Sequence, residues 1–174
     1  VNRRVVDRHG NVSLGQNPWA CHDPAMTVIS FKDVDGIPIV NLIHYGAHCT
    51  AAGKSSEITR DWAGPMVDSL EQKSGAITMF FNGAEGDCGP RLSNGKTTGT
   101  VKLAMELGKK AGADAVRAWR HINNYCKVDL KVLSGEINLP YEEFPEADEI
   151  ERQIRESGDC EKLTGLKVMA YNNL

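Results

Sequence analysis

The chain has 174 residues, 41% hydrophobic and 25% charged, values of a folded globular chain and not of a disordered or fibrous one. Lys plus Arg number 20 against 23 Asp plus Glu, a formal net charge of −3, with no basic stripe of the kind that marks a nucleic-acid binder. No apolar run approaches the ~20 residues of a membrane-spanning helix, and even Ile37 to Ile43 is interrupted by Pro38 and Asn41.

Residues 1 to 25 are polar and punctuated by Gly10-Asn11, Gly15-Gln16-Asn17-Pro18 and Asp23-Pro24, which predicts an irregular loop. Thr27 to Lys32 and Ile37 to Tyr45 are β-prone runs flanking Asp33-Val34-Asp35-Gly36, and Asp-Gly between apolar runs predicts a hairpin. Pro65 to Gln72 carries Met66, Val67 and Leu70 at helical spacing, with proline in the first turn. Ala76 to Phe81 has the composition of a buried strand and runs into a Gly-rich turn. Thr97 to Trp119 is the longest helical candidate, with Val101, Met105, Ala111, Ala115, Val116 and Trp119 along one stripe. Val128 to Leu139 alternates as a strand does, with Gly135 placed as a bulge. Pro145 to Glu156 reads as a charged surface helix. This order predicts an α/β fold of mixed layers: a β-sheet with flanking helices, a hairpin at 27–45, and strands near 76–81 and 128–139.

The five cysteines are odd in number and form no CxxC pair, which argues against a zinc ribbon or a thioredoxin motif and for a reduced, intracellular chain.

Chemistry in such folds gathers where strands end. One strand end carries His44-Tyr45-Gly46-Ala47-His48-Cys49-Thr50, where small residues leave room around His48 for a metal or substrate. The other is Asn82 to Arg91, whose glycines permit backbone amides to face an anion, although neither dinucleotide nor Walker spacing is met. Asp61, ahead of the first predicted helix, is either a helix-capping carboxylate or one that orients a histidine. Asp87 and Arg91 either shape their turn as an ion pair or meet a polar part of a substrate. Cys49 and Cys88 flank the motifs, where a small packed thiol is the ordinary use.

Taken in order, Asn2-Arg3-Arg4, Asp35-Gly36, Ala47-His48-Cys49-Thr50, Asp61-Trp62-Ala63-Gly64 and Asn82-Gly83-Ala84-Glu85-Gly86-Asp87-Cys88-Gly89-Pro90-Arg91 resemble the neutral/alkaline non-lysosomal ceramidase family. The pattern is most similar to that of bacterial ceramidase-like proteins of unassigned substrate. The resemblance runs from about residue 1 to 92, with a weaker echo from Leu139-Pro140 to Ile154.

It implies a zinc-dependent amidohydrolase that cleaves the N-acyl bond of a ceramide-like lipid or another small amide, with His48 as a metal ligand. Beside such a ligand, Asp61 is either a carboxylate that orients it or a helix cap, and Asp87 and Arg91 either shape their turn or meet a polar part of the substrate. The resemblance further implies that the chain is a single domain forming the central part of a longer catalytic domain. Family members include exported proteins.

Two departures accompany it. Gly89 stands where the family has the serine central to amide cleavage, which leaves a non-catalytic binding or scaffold member of the same fold as the alternative. The family's other zinc ligands, an upstream histidine and a downstream Glu and Tyr, have no recognisable counterpart in this sequence.

Overall fold

The computed structural model describes residues 1–140 and 146–156. The chain divides into two units, Val1–Lys127 and Val128–Leu174. Mixed strands and helices place it in the α/β class, as the sequence predicts.

The first unit opens with a hairpin, β1 (Asn2–Val6) against β2 (Val12–Asn17), antiparallel. The predicted irregular loop over residues 1–25 is therefore corrected. The turn explains why. Asp7 accepts at its carboxylate from the backbone N–H of His9 (2.8 Å) and of Asn11 (2.9 Å), while Gly10 takes φ +86°. The second hairpin, β3 (Thr27–Lys32) and β4 (Pro38–Tyr45), turns by the same device: Asp33 accepts from Asp35 N–H (3.0 Å) and Ile37 N–H (2.8 Å), and Gly36 takes φ +82°. An Asp whose side chain mimics a backbone turn, followed three residues later by glycine in the left-handed region, closes both loops.

From β4 the chain passes through α1 (Ala63–Ser74) into β5 (Ile77–Asn82), which lies parallel to β4. This βαβ unit gives a three-stranded sheet in the order β3-β4-β5. Gly75 ends α1 in the left-handed conformation (φ 73°), its N–H bonding to Glu71 O. A long helix, α2 (Val101–Arg120), begins at Thr100, whose side chain caps the Leu103 N–H.

The helices pack on one face of the sheet. Ile43, Met66 and Leu70 are fully buried there, and the Trp62 ring meets Phe80 and Tyr45 edge-on at 5.3 and 6.1 Å. Asn41, inside the apolar run of β4, is also fully buried; its amide donates to Ser74 Oγ (2.7 Å) and Thr78 Oγ1 (3.2 Å), tying β4 to the end of α1 and to β5. A row of small residues on α2, Ala104, Gly108 and Gly112, lets that helix approach α1 closely. The register places Ile29, Leu42, Met79 and Phe81 on the other sheet face, where Ile29, Met79 and Phe81 stay exposed.

In the second unit, α3 (Ala147–Glu156) is the predicted charged helix, with Arg152 bridging Glu149 and Glu156 at 2.7 Å each. Pro145, its predicted first residue, lies outside the described residues. The strand predicted at 128–139 is not formed: these residues join no ladder, and Leu130, Val132, Leu133, Ile137 and Leu139 are exposed. Alternation describes a strand's two faces but supplies no partner, and an unpaired segment gains neither the ladder bonds nor the burial that stabilise a strand.

Candidate functional site

The parallel pairing of β4 and β5 sets the ends of both strands side by side, and the motif loops follow from there. Gly83 N–H bonds to Tyr45 O (3.1 Å), and a Cβ on Gly46 would lie 2.7 Å from Ala84 O, so only glycine admits this approach of the two loops. β1 closes the third side: Arg3 N–H bonds to Asp87 O (2.7 Å), and Asn2 forms a bridge with Cys88. Three segments remote in sequence thereby meet.

His48 sits at their junction. Its backbone is held on both sides, its N–H donating to Cys88 O (3.1 Å) and its carbonyl accepting from Trp62 Nε1 (3.0 Å). The imidazole, about a quarter exposed, has Arg3 Nη2 at 2.9 Å from Nε2 and Glu85 Oε1 at 3.5 Å from Nδ1. Arg3 and Arg4 also donate to Gly86 O, at 3.1 and 3.3 Å, which ties the glycine turn to β1.

Asp61 is buried in a left-handed conformation (φ 53°). Its carboxylate accepts from the backbone N–H of Ala51 (3.1 Å), Ala52 (2.7 Å) and Trp62 (2.7 Å). Trp62, not Asp61, occupies the N-cap position of α1, and no side chain caps that helix end. Asp61 thus fastens the loop that follows His48 onto the start of α1 and holds His48 in place through the backbone.

Asp87 accepts from Asn2 Nδ2 (2.8 Å) and is approached by Cys88 Sγ (3.7 Å). Arg91 is exposed and forms no ion pair with Asp87, so the turn is braced by Asn2 and not by an Asp–Arg pair.

The thiols beside the site are poor nucleophiles. Loss of water around the Cys49 sulfur, with Asp61 and Glu85 nearby, pushes its pKa up to about 11, although the residue as a whole is exposed. Burial and the adjacent Asp87 carboxylate raise that of Cys88. The thiolate is the reactive form, so both shifts disfavour cysteine chemistry at these residues.

His44 projects from β4 beside Gly83. Because β4 ends at Tyr45, strand alternation does not extend from His44 to His48. Arg3 and Glu85 are the groups that sequence reading did not single out; both lie within motif strings, but nothing in their spacing announces contact with His48. Among the described residues, no three His, Cys, Asp or Glu side chains converge as a metal site. No family model, curated protein or solved structure matches this chain.

Proposed function

We propose that this chain supplies part of the site of a zinc-dependent amidohydrolase acting on an N-acyl amide of ceramide-like or related structure, with His48 as a metal ligand. One observation carries the reading. The segments Asn2–Arg4, Ala47–Thr50 and Asn82–Arg91, which resemble that family in order, are joined by hydrogen bonds around a single histidine.

His48 is the one motif residue here that can offer a ligand nitrogen, and because its Nε2 faces Arg3 Nη2 at 2.9 Å a metal bound at that nitrogen would have to displace the guanidinium. Glu85 Oε1 lies 3.5 Å from Nδ1, longer than an ordinary N–H···O bond, and supports the reading as a carboxylate near the ring's other nitrogen. Zinc, when bound, activates a water and polarises an amide carbonyl. The chain's own residues hold the ligand still: Trp62 and Cys88 fix the His48 backbone, and Asp61 fixes the loop behind it.

Metal analysis of the protein and of His48→Ala tests this reading. Zinc in the wild type and its loss in the variant are expected; equal zinc content in both would contradict it.

A second reading, a binding domain that keeps the fold without catalysis, is favoured by Gly89. A Cβ there would lie 3.2 Å from Cβ and Cγ2 of the buried Thr97 and 3.4 Å from Arg3 Cβ. The position that would hold the family serine is thus crowded by neighbours. Zinc-dependent turnover of any N-acyl substrate would dismiss this second reading.

A further inference from the structure

The three-stranded sheet has two faces, and the helices cover only one. Strand alternation and register set three rows of three residues on the other, one residue from each strand in every row. The middle row is Ile29, Leu42 and Met79, and Ile77 and Phe81 flank Met79 along β5. Seven of these nine residues are aliphatic or aromatic, and none is Asp, Glu, Lys or Arg, in a chain that is 25% charged.

This face is open. Ile29, Ile77, Met79 and Phe81 are 44–68% exposed. Half-exposed side chains of this size offer on the order of 100 Å² each. Together with the partly covered Leu42 and its neighbours they make a patch of roughly 500 Å², within the range of the largest apolar patches on monomers, which are often functional. The β4–β5 pair is parallel, and parallel strands are ordinarily covered on both faces.

The size and charge of the patch fit a second copy of the chain. Two such faces together would withdraw ~1,000 Å² from water, the size at which a specific interface begins. A two-fold contact sets a surface against itself, so any charge on it would meet its own kind, and this face carries none of the four charged residue types. Sheets also pack readily face to face, at about 10 Å, with interdigitated side chains.

We propose that two copies of the chain pack through this face, about a two-fold axis near Leu42, as a two-layer sandwich with α1 and α2 on its outer sides. His48 lies in the loop beyond β4, so the pairing holds or fails apart from the hydrolase reading.

The test is sedimentation velocity on the whole chain from about 1 to about 100 μM, the weak range expected of an interface this small. Reducing buffer keeps the exposed Cys21, Cys49 and Cys126 from linking copies. The wild type is expected to reach twice the mass of one chain. Met79→Lys, which sets like charges close together across the axis, should weaken association at least ~10-fold. Ile58→Lys, at a fully exposed position off the sheet, should leave it unchanged. Should Met79→Lys fail to fold, Ile77→Thr keeps a β-branched side chain while removing apolar surface, and is expected to weaken association in the same direction.

A wild type that stays monomeric throughout would overturn the proposal. In that monomer, a lowered urea midpoint for Met79→Lys would assign the cover to the chain itself, and flotation with phosphatidylcholine vesicles would assign it to lipid. A dimer that neither Met79→Lys nor Ile77→Thr weakens would also overturn it, by placing the contact elsewhere.

Discussion

Arg3 Nη2 reaches His48 Nε2 across 2.9 Å, a contact between residues 45 apart in sequence that joins the first strand of the chain to the loop after its fourth. The contact depends on the loop keeping its shape, and Asp61 is the residue that secures it. Replacing Asp61 with Asn keeps a side chain that tolerates the left-handed backbone but sets an NH2 donor against backbone N–H donors. A loss of about 2–4 kcal/mol is expected, from at least one buried N–H left unsatisfied and from the weaker neutral acceptor. Urea unfolding of Asp61→Asn measures it; a change below about 0.5 kcal/mol would show that the carboxylate is not needed.

The packing of α2 on α1 gives a second test, in which two effects oppose each other. Alanine in place of Gly108 would gain about 1 kcal/mol of helix propensity. Its Cβ, however, would lie 2.5 Å from the Trp62 carbonyl oxygen and 3.0 Å from Pro65 Cβ and Cγ, against backbone and a ring that cannot swing aside. The clash outweighs the propensity, so Gly108→Ala should destabilise by a net ~1–2 kcal/mol. An increase in thermal midpoint would contradict this packing.

Gly89 bears on the proposed chemistry. If the serine of the family that the sequence resembles were all that limited the proposed amide cleavage, Gly89→Ser would raise turnover. The contacts to Thr97 and Arg3 predict instead a loss of about 1 kcal/mol of stability with no gain in activity, since Thr97 is buried and has little freedom to shift. Parallel unfolding and N-acyl amide hydrolysis assays on this variant distinguish the two outcomes.

The first turn sets a pH dependence. Hydrogen bonds from the Asn11 side chain and from the backbone N–H of Asn11 and His9 hold the Asp7 carboxyl below its ordinary value of 3.8. A carboxyl whose folded pKa is depressed stabilises the fold above the unfolded value, and that contribution is lost as pH falls through the folded value. Asp7→Ala should therefore be less stable than the wild type near neutral pH. The difference should shrink as the pH is lowered below 3.8, and stability curves for the two proteins that stay parallel across that range would contradict the assignment.

What the sequence disclosed and what it hid have physical causes. The β3–β4 hairpin was legible because Asp33 and Gly36 stand between apolar runs. The same Asp-x-x-Gly device at Asp7 and Gly10 is less legible because the runs beside it are mostly polar, with only Val5, Val6, Val12 and Leu14 apolar, and Val6, Val12 and Leu14 stay exposed. Residues 128–139 misled in the opposite sense, having the period but no partner. At the site, His48 and Asp61 stood out by motif. Arg3 and Glu85 did not, because their contacts with His48 arise only when β1 and the turn after β5 are folded against it.

The most direct measurement is hydrolysis of an N-acylsphingosine carrying a fluorescent acyl chain, with zinc or with a chelator, by the intact protein, wild type and His48→Ala. Fatty-acid release by the wild type that requires zinc and falls to background in His48→Ala is the expected result. No release by the wild type with zinc supplied, or release that survives the loss of His48, would contradict the assignment of His48 as the metal ligand of an amidohydrolase.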